Sequence, residues 1–111
     1  MVKIRCTVCN LILDTDEIPD KCPRCGAPKE KFEKLADDKA NLVDRSRLTN
    51  DLHMRLETLA NKILEVAEAG IKDNLDQACV VVFTKAKQDA TMIKQYVKAE
   101  IQSHISKGKW G

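Results

Sequence analysis

From Leu48 onward the apolar residues recur at helical spacing. Leu48, Leu52, Leu56, Leu59, Ile63 and Val66 step by four, four, three, four and three, which lines them up along one side of a helix. Leu75, Cys79, Val82, Ala86, Ala90, Ile93, Val97 and Ile101 repeat the pattern. The spacing predicts helices over residues 38–69 and 74–106, with Gly70 as a stop and Asp73 or Asn74 as the next N-cap. The stretch from Leu35 to Leu48 is less regular, and Ser46 or Thr49 is a candidate cap for a separate, shorter helix there. Val80 to Phe83 is rich in β-branched residues, but its flanks are helical and it has no partner strand, so it reads as helix. Two helices with a short connection make an antiparallel hairpin. A hairpin covers each stripe on one side only, so pairing of two hairpins into a four-helix bundle, a homodimer, is expected.

The first 35 residues follow another pattern. They hold all three prolines and four of the five cysteines, and their apolar runs are short. Strands are expected at Val2 to Arg5, Leu11 to Leu13 and Lys31 to Leu35. The fold class is therefore a small metal-bound β module over residues 1–35 followed by an α-helical hairpin over 36–111. A segment of 35 residues cannot bury enough apolar surface to fold alone. A bound metal would supply much of its stability.

The candidate ligands are Cys6, Cys9, Cys22 and Cys25, two CxxC pairs with twelve residues between them. Each pair places two sulfurs on one side of a tight turn, and two such turns face each other in a tetrahedral S4 site. Thiolate is a soft ligand, which suits Zn(II) or a single iron, and spacing alone does not choose between them. After each pair the chain must turn back so that backbone N–H groups point at sulfur, which favours positive φ. Gly26 follows Cys25, and Asn10, the next most tolerant residue type, follows Cys9. The opening MVKIRCTVC has no signal-peptide apolar region, so a cytoplasmic setting is expected. Disulfides are disfavoured in that compartment.

The stretch IRCTVCNLILDTDEIPDKCPRCGAPKEKFEKL resembles the small rubredoxin-like domain of the rubrerythrins. The likeness covers about a third of the chain. It includes the tail with Gly26, Ala27, Pro28, Lys29 and Phe32, which zinc ribbons in general do not require. The resemblance implies that Cys6, Cys9, Cys22 and Cys25 bind one Fe(II/III), with zinc as a substitute, and that Phe32 packs under the site. Asn10 stands where that family usually has glycine, and Leu11 where it often has tyrosine. The module lies at the N-terminus, the reverse of the common order. The resemblance also implies an anaerobic prokaryote and a link to peroxide or oxygen defence.

Charge narrows the partners. With 19 basic and 17 acidic residues the net charge is +2, without the basic face of a nucleic-acid binder. No apolar run is long enough for a membrane span. A di-iron enzyme of the rubrerythrin type needs carboxylates and Glu-x-x-His pairs facing into a four-helix core, and no such pair is present. The two histidines, His53 and His104, have Glu57 and Glu100 at helical spacing. With a turn near residue 72, His53 faces residue 91 and His104 faces residue 40, which puts the two pairs roughly 20 Å apart. Surface His–Glu pairs are the simpler reading. Cys79, alone on an apolar face, reads as a buried structural thiol. Trp110 sits in a polar tail, either docked or free.

The expected function is one-electron transfer through a tetrathiolate iron centre, fed by a redox partner such as a flavoprotein reductase, with no enzymatic activity of its own. The alternative is a structural zinc-ribbon adaptor whose hairpin mediates protein–protein interaction. A third reading is a peroxidase with a di-iron centre assembled across a dimer from His53, Glu57, Glu100 and His104.

Overall fold

The computed structural model describes all 111 residues. The chain forms two compact units, Met1–Arg47 with Lys107–Gly111, and Leu48–Ser106.

The first unit carries a three-stranded antiparallel sheet. Strand β1 (Ile4–Cys6) is central, flanked by β2 (Ile12–Leu13) and β3 (Phe32–Lys34). In register, Ile4 lies opposite Leu13 and Lys34, and Cys6 opposite Phe32. β2 and β3 lie within the expected stretches but are shorter, whereas β1 begins two residues later than expected and runs on to Cys6, the first cysteine of the site. Ile4, Cys6, Cys22 and Phe32 form one small core, with Leu11, Leu13 and Ala27 packed against it. Phe32 thus lies beneath the cysteines, as the resemblance implies. A second cluster joins Leu35, Ala40 and Val43 with Ile12.

Such small cores leave room for a polar one. Lys3 is fully buried, with its Nζ 2.6 Å from Asp14 Oδ1 and 2.8 Å from Asp44 Oδ1. Arg47 grips Asp14 with both Nη atoms, at 2.6 and 2.8 Å, and the N-terminal ammonium lies 3.2 Å from Asp44. Hydrogen bonds from Arg47 and then Lys3 hold the Asp14 carboxyl well below the usual carboxylate range, and Lys3 does the same for Asp44. Arg47 Nε also donates to the Gly111 carbonyl oxygen at 2.9 Å, and Gly111 packs against Ile12 and Val43. The C-terminal tail is therefore docked through Gly111, while Trp110 remains exposed.

Helix α1 runs unbroken over Asp37–Asp73 and α2 over Gln77–Ser106. Neither Ser46 nor Thr49 opens a new helix. Ser46 bonds back to the Val43 carbonyl within α1, which satisfies its hydroxyl without interrupting the helix. Gly70 does not stop α1 either. Its lack of a side chain serves packing, since a Cβ there would overlap the Phe83 ring of α2. The helix ends one turn later, where Asn74 takes the left-handed conformation at φ 49°. Asn74 is thus an exit and not an N-cap. The cap of α2 is Asp76, whose Oδ1 accepts from the Cys79 N–H at 2.8 Å.

The second unit buries few apolar side chains. Ala60, Ala67, Ala90 and Val97 are the buried apolar positions there. Cys79 is half-buried instead of fully enclosed, and the Asp76 carboxylate beside it pushes its thiol up. Gly70→Ala tests the close approach at Phe83. Helix propensity alone favours alanine by about 1 kcal/mol. The overlap with Phe83 reverses the sign, for an expected net loss of about 1–3 kcal/mol. A thermal melt decides, since a raised midpoint would show that the ring moves aside freely.

Candidate metal centre

Two backbone turns build the site, and they copy each other at an offset of sixteen residues. In the first, the Cys6 N–H donates to the Leu11 carbonyl at 2.9 Å and the Asn10 N–H to the Cys6 carbonyl at 2.8 Å. In the second, the Cys22 N–H donates to the Ala27 carbonyl at 2.8 Å and the Gly26 N–H to the Cys22 carbonyl at 2.9 Å. Asn10 and Gly26 occupy the equivalent left-handed positions, at φ 66° and 76°. This local repeat escapes a search for sequence repeats because only the cysteine spacing is shared.

The reversal at each left-handed residue aims the next backbone N–H at sulfur. Leu11 N–H bonds to Cys9 and Ala27 N–H to Cys25, while the N–H groups of Cys25 and Arg24 reach Cys22. The Leu11 hydrogen bond, with help from the Arg24 side chain, lowers the Cys9 thiol to about 6. That favours the thiolate, the form that ligates a metal. Cys25 also accepts an N–H, from Ala27, but lost hydration and the neighbouring sulfurs outweigh it and push the thiol up to about 12. Four sulfurs packed this closely cannot all ionise unless a cation neutralises them.

The geometry fits such a cation. The Cys6 and Cys25 sulfurs are 3.7 Å apart, as are those of Cys9 and Cys22, and all four lie within 4.8 Å of one another. Metal–sulfur bonds of about 2.3 Å in a tetrahedron give sulfur–sulfur edges of about 3.8 Å. A disulfide would need about 2.05 Å, and all five cysteines are free. Cys6 and Cys22 are buried at the floor, whereas Cys9 is half-buried and Cys25 exposed.

Residues 5–33 match the family model of the rubrerythrin rubredoxin-like domain. The rubredoxin-like module thus spans both turns and most of the sheet. Among curated proteins, reverse rubrerythrin-1 of Clostridium acetobutylicum is 38% identical over 48 residues. Those residues cover 43% of this chain and 26% of that protein, so the chain shares only about a quarter of its relative's length. No solved structure matches the chain significantly. No helix is long and apolar enough to cross a membrane.

The histidines need correction. They are not 20 Å apart, for their ring centroids lie 5.8 Å from each other, edge to face. Helix α1 outruns Gly70, so the hairpin's midpoint falls near residue 77. Asn50 meets His104, Glu57 meets Lys98 and Glu68 meets Lys87. Moving the midpoint by about five residues changes each facing partner by about ten, or ~15 Å. His104 is buried, with Nδ1 2.6 Å from Asn50 Oδ1 and Nε2 3.2 Å from Glu100. Both its ring nitrogens are engaged within the hairpin. The cysteines are the group of three or more metal-ligand side chains gathered closely enough to share an ion.

Proposed function

We propose that this protein is a one-electron carrier built on a mononuclear iron centre held by Cys6, Cys9, Cys22 and Cys25. The observation that carries this reading is the S4 cage with N–H groups aimed at sulfur, in a module that matches the rubredoxin-like family. Iron held by four thiolates supplies a ferric/ferrous couple. The chain's own residues set how that couple works. The N–H groups of Leu11, Arg24, Cys25 and Ala27 stabilise negative charge on sulfur and so favour the reduced, more negative state. Four cysteine ligands leave no open position for a substrate, which separates a carrier from a catalyst. The rim formed by the exposed Cys25 and the half-buried Cys9 offers a redox partner, such as a flavoprotein reductase, a short path to the centre. The resemblance to rubrerythrins supports a role for this carrier in peroxide or oxygen defence, in the cytoplasm of an anaerobe.

The test is metal content and a visible spectrum of protein purified from iron-supplemented anaerobic cells. One iron per chain and a red colour that bleaches with dithionite and returns on reoxidation are expected. One zinc per chain and no colour from the same cells would make the cysteines a strut and favour the adaptor. Iron well above one per chain, lost in His53→Ala or Glu57→Ala, would instead favour a second centre in the helices.

A further inference from the structure

The leucine stripe that first marks α1 in the sequence does not face α2. Leu48, Leu52, Leu56, Leu59, Ile63 and Val66 are between 42% and 67% exposed, while the buried apolar positions of the two helices are Ala60, Ala67, Ala90 and Val97. The ion pairs Glu57–Lys98 and Glu68–Lys87 run along one edge of the hairpin. At 100° per residue the stripe leaves α1 on the opposite edge, where the same geometry puts Val82 and Tyr96 of α2, also exposed.

We infer that this edge is the interface of a symmetric homodimer in which the α1 stripes of two copies pack antiparallel. Two observations select a second copy of this chain as the occupant. The first is area. The stripe exposes on the order of 500 Å² of apolar side chain in one strip, as much as the largest patch of a typical monomer, and patches of that size are often functional. Val82 and Tyr96 bring it towards the ~800 Å² per partner of a standard interface. The second is self-complementarity. Reversing the stripe about a point between Leu56 and Leu59 lays it on itself, so that Leu56 meets Leu59, Leu52 meets Ile63 and Leu48 meets Val66 of the partner. That is what a two-fold interface requires, since one surface must match its own reverse. Two hairpins joined this way make a four-helix bundle. The inference rests on the helices alone and stands whichever metal the cysteines hold.

Sedimentation of the full-length protein tests the assembly. A species of twice the 12.5 kDa chain mass is expected at micromolar concentration. A monomer persisting to about 100 μM would overturn the proposal. Leu56→Glu and Leu59→Glu should each weaken dimerisation by ~100-fold or more. Met54→Glu, at an exposed position of α1 off the stripe, should leave the dimer intact. Stripe variants that stay helical and dimeric would also overturn it. The arrangement is read separately, by pulsed electron resonance between nitroxide labels at Lys72→Cys in a zinc-loaded Cys79→Ser background. Antiparallel stripes put the two labels roughly 45 Å apart, whereas parallel ones bring them within about 20 Å. The short distance would refute the antiparallel seam even if the protein is dimeric.

Discussion

Cys22→Ser is expected to release the metal and unfold the rubredoxin-like module. Cys22 lies on the floor of the cage, 3% exposed, and its sulfur gathers two backbone N–H groups. A serine hydroxyl is a poor soft-metal ligand and stays protonated, so the substitution removes both a bond and a charge. The apolar core around it, Ile4, Cys6 and Phe32, is too small to hold the fold unaided. Metal binding in small domains of this kind contributes about 10–16 kcal/mol to folding, far more than such a core can replace. Metal content should fall from one per chain to near zero, and residues up to about 35 should become open to protease. Helical circular dichroism should largely persist, because α2 and most of α1 owe nothing to the metal. Cys25→Ser should be milder, since Cys25 sits at the exposed rim, where water can take up the fourth position. Equal metal retention in wild type and Cys22→Ser under the same chelator challenge would show that the cage does not hold the ion.

The second large effect is expected at Lys3→Met. The replacement keeps the length and apolar stem of the side chain but takes its charge from between Asp14 and Asp44. Removing one partner of a fully buried pair costs about 3–5 kcal/mol. Both carboxylates remain about a third exposed, so water offsets part of that and about 2–4 kcal/mol is the expected loss. Its pH dependence identifies the cause. Asp14 and Asp44 have folded-state values below the ordinary 3.8. Their contribution is therefore complete above that value and is lost as pH falls below it, when the native state must take up protons it disfavours. Denaturant melts at a series of pH values should show wild type and Lys3→Met converging from pH 6 towards pH 2. A gap that stays constant would assign the loss to packing and not to charge.

The cage was legible because its chemistry is local. A CxxC turn needs two sulfurs, a left-handed residue and the N–H beyond it, and all of these lie within six residues of one another. The helices were legible as elements, and so were their outer ends near residues 38 and 106, but the two ends at the connection were not. Gly70 is a helix breaker by propensity, but here it is retained inside the helix because Phe83 needs the space, a contact thirteen positions away. A helix ending at Gly70 would shift the hairpin's midpoint and set His53 and His104 far apart, whereas their rings meet edge to face. Lys3 carried no sequence signal at all. Its burial depends on Asp14, Asp44 and Arg47 converging from a loop and a helix, and no period along the chain encodes a meeting of that kind.

The two floor cysteines have a consequence for kinetics. With Cys6 and Cys22 closed in by the sheet and Phe32, an ion can reach them only past Cys9 and Cys25. A single doorway would make exchange of a bound ion slow, because the buried Cys6 and Cys22 would have to release it past Cys9 and Cys25. With exchange that slow, the occupant would be selected by arrival and not by equilibrium. Protein made where iron is plentiful and protein made where zinc is plentiful would each keep the ion they first met, so the colour of a preparation records the cell in which the chain folded.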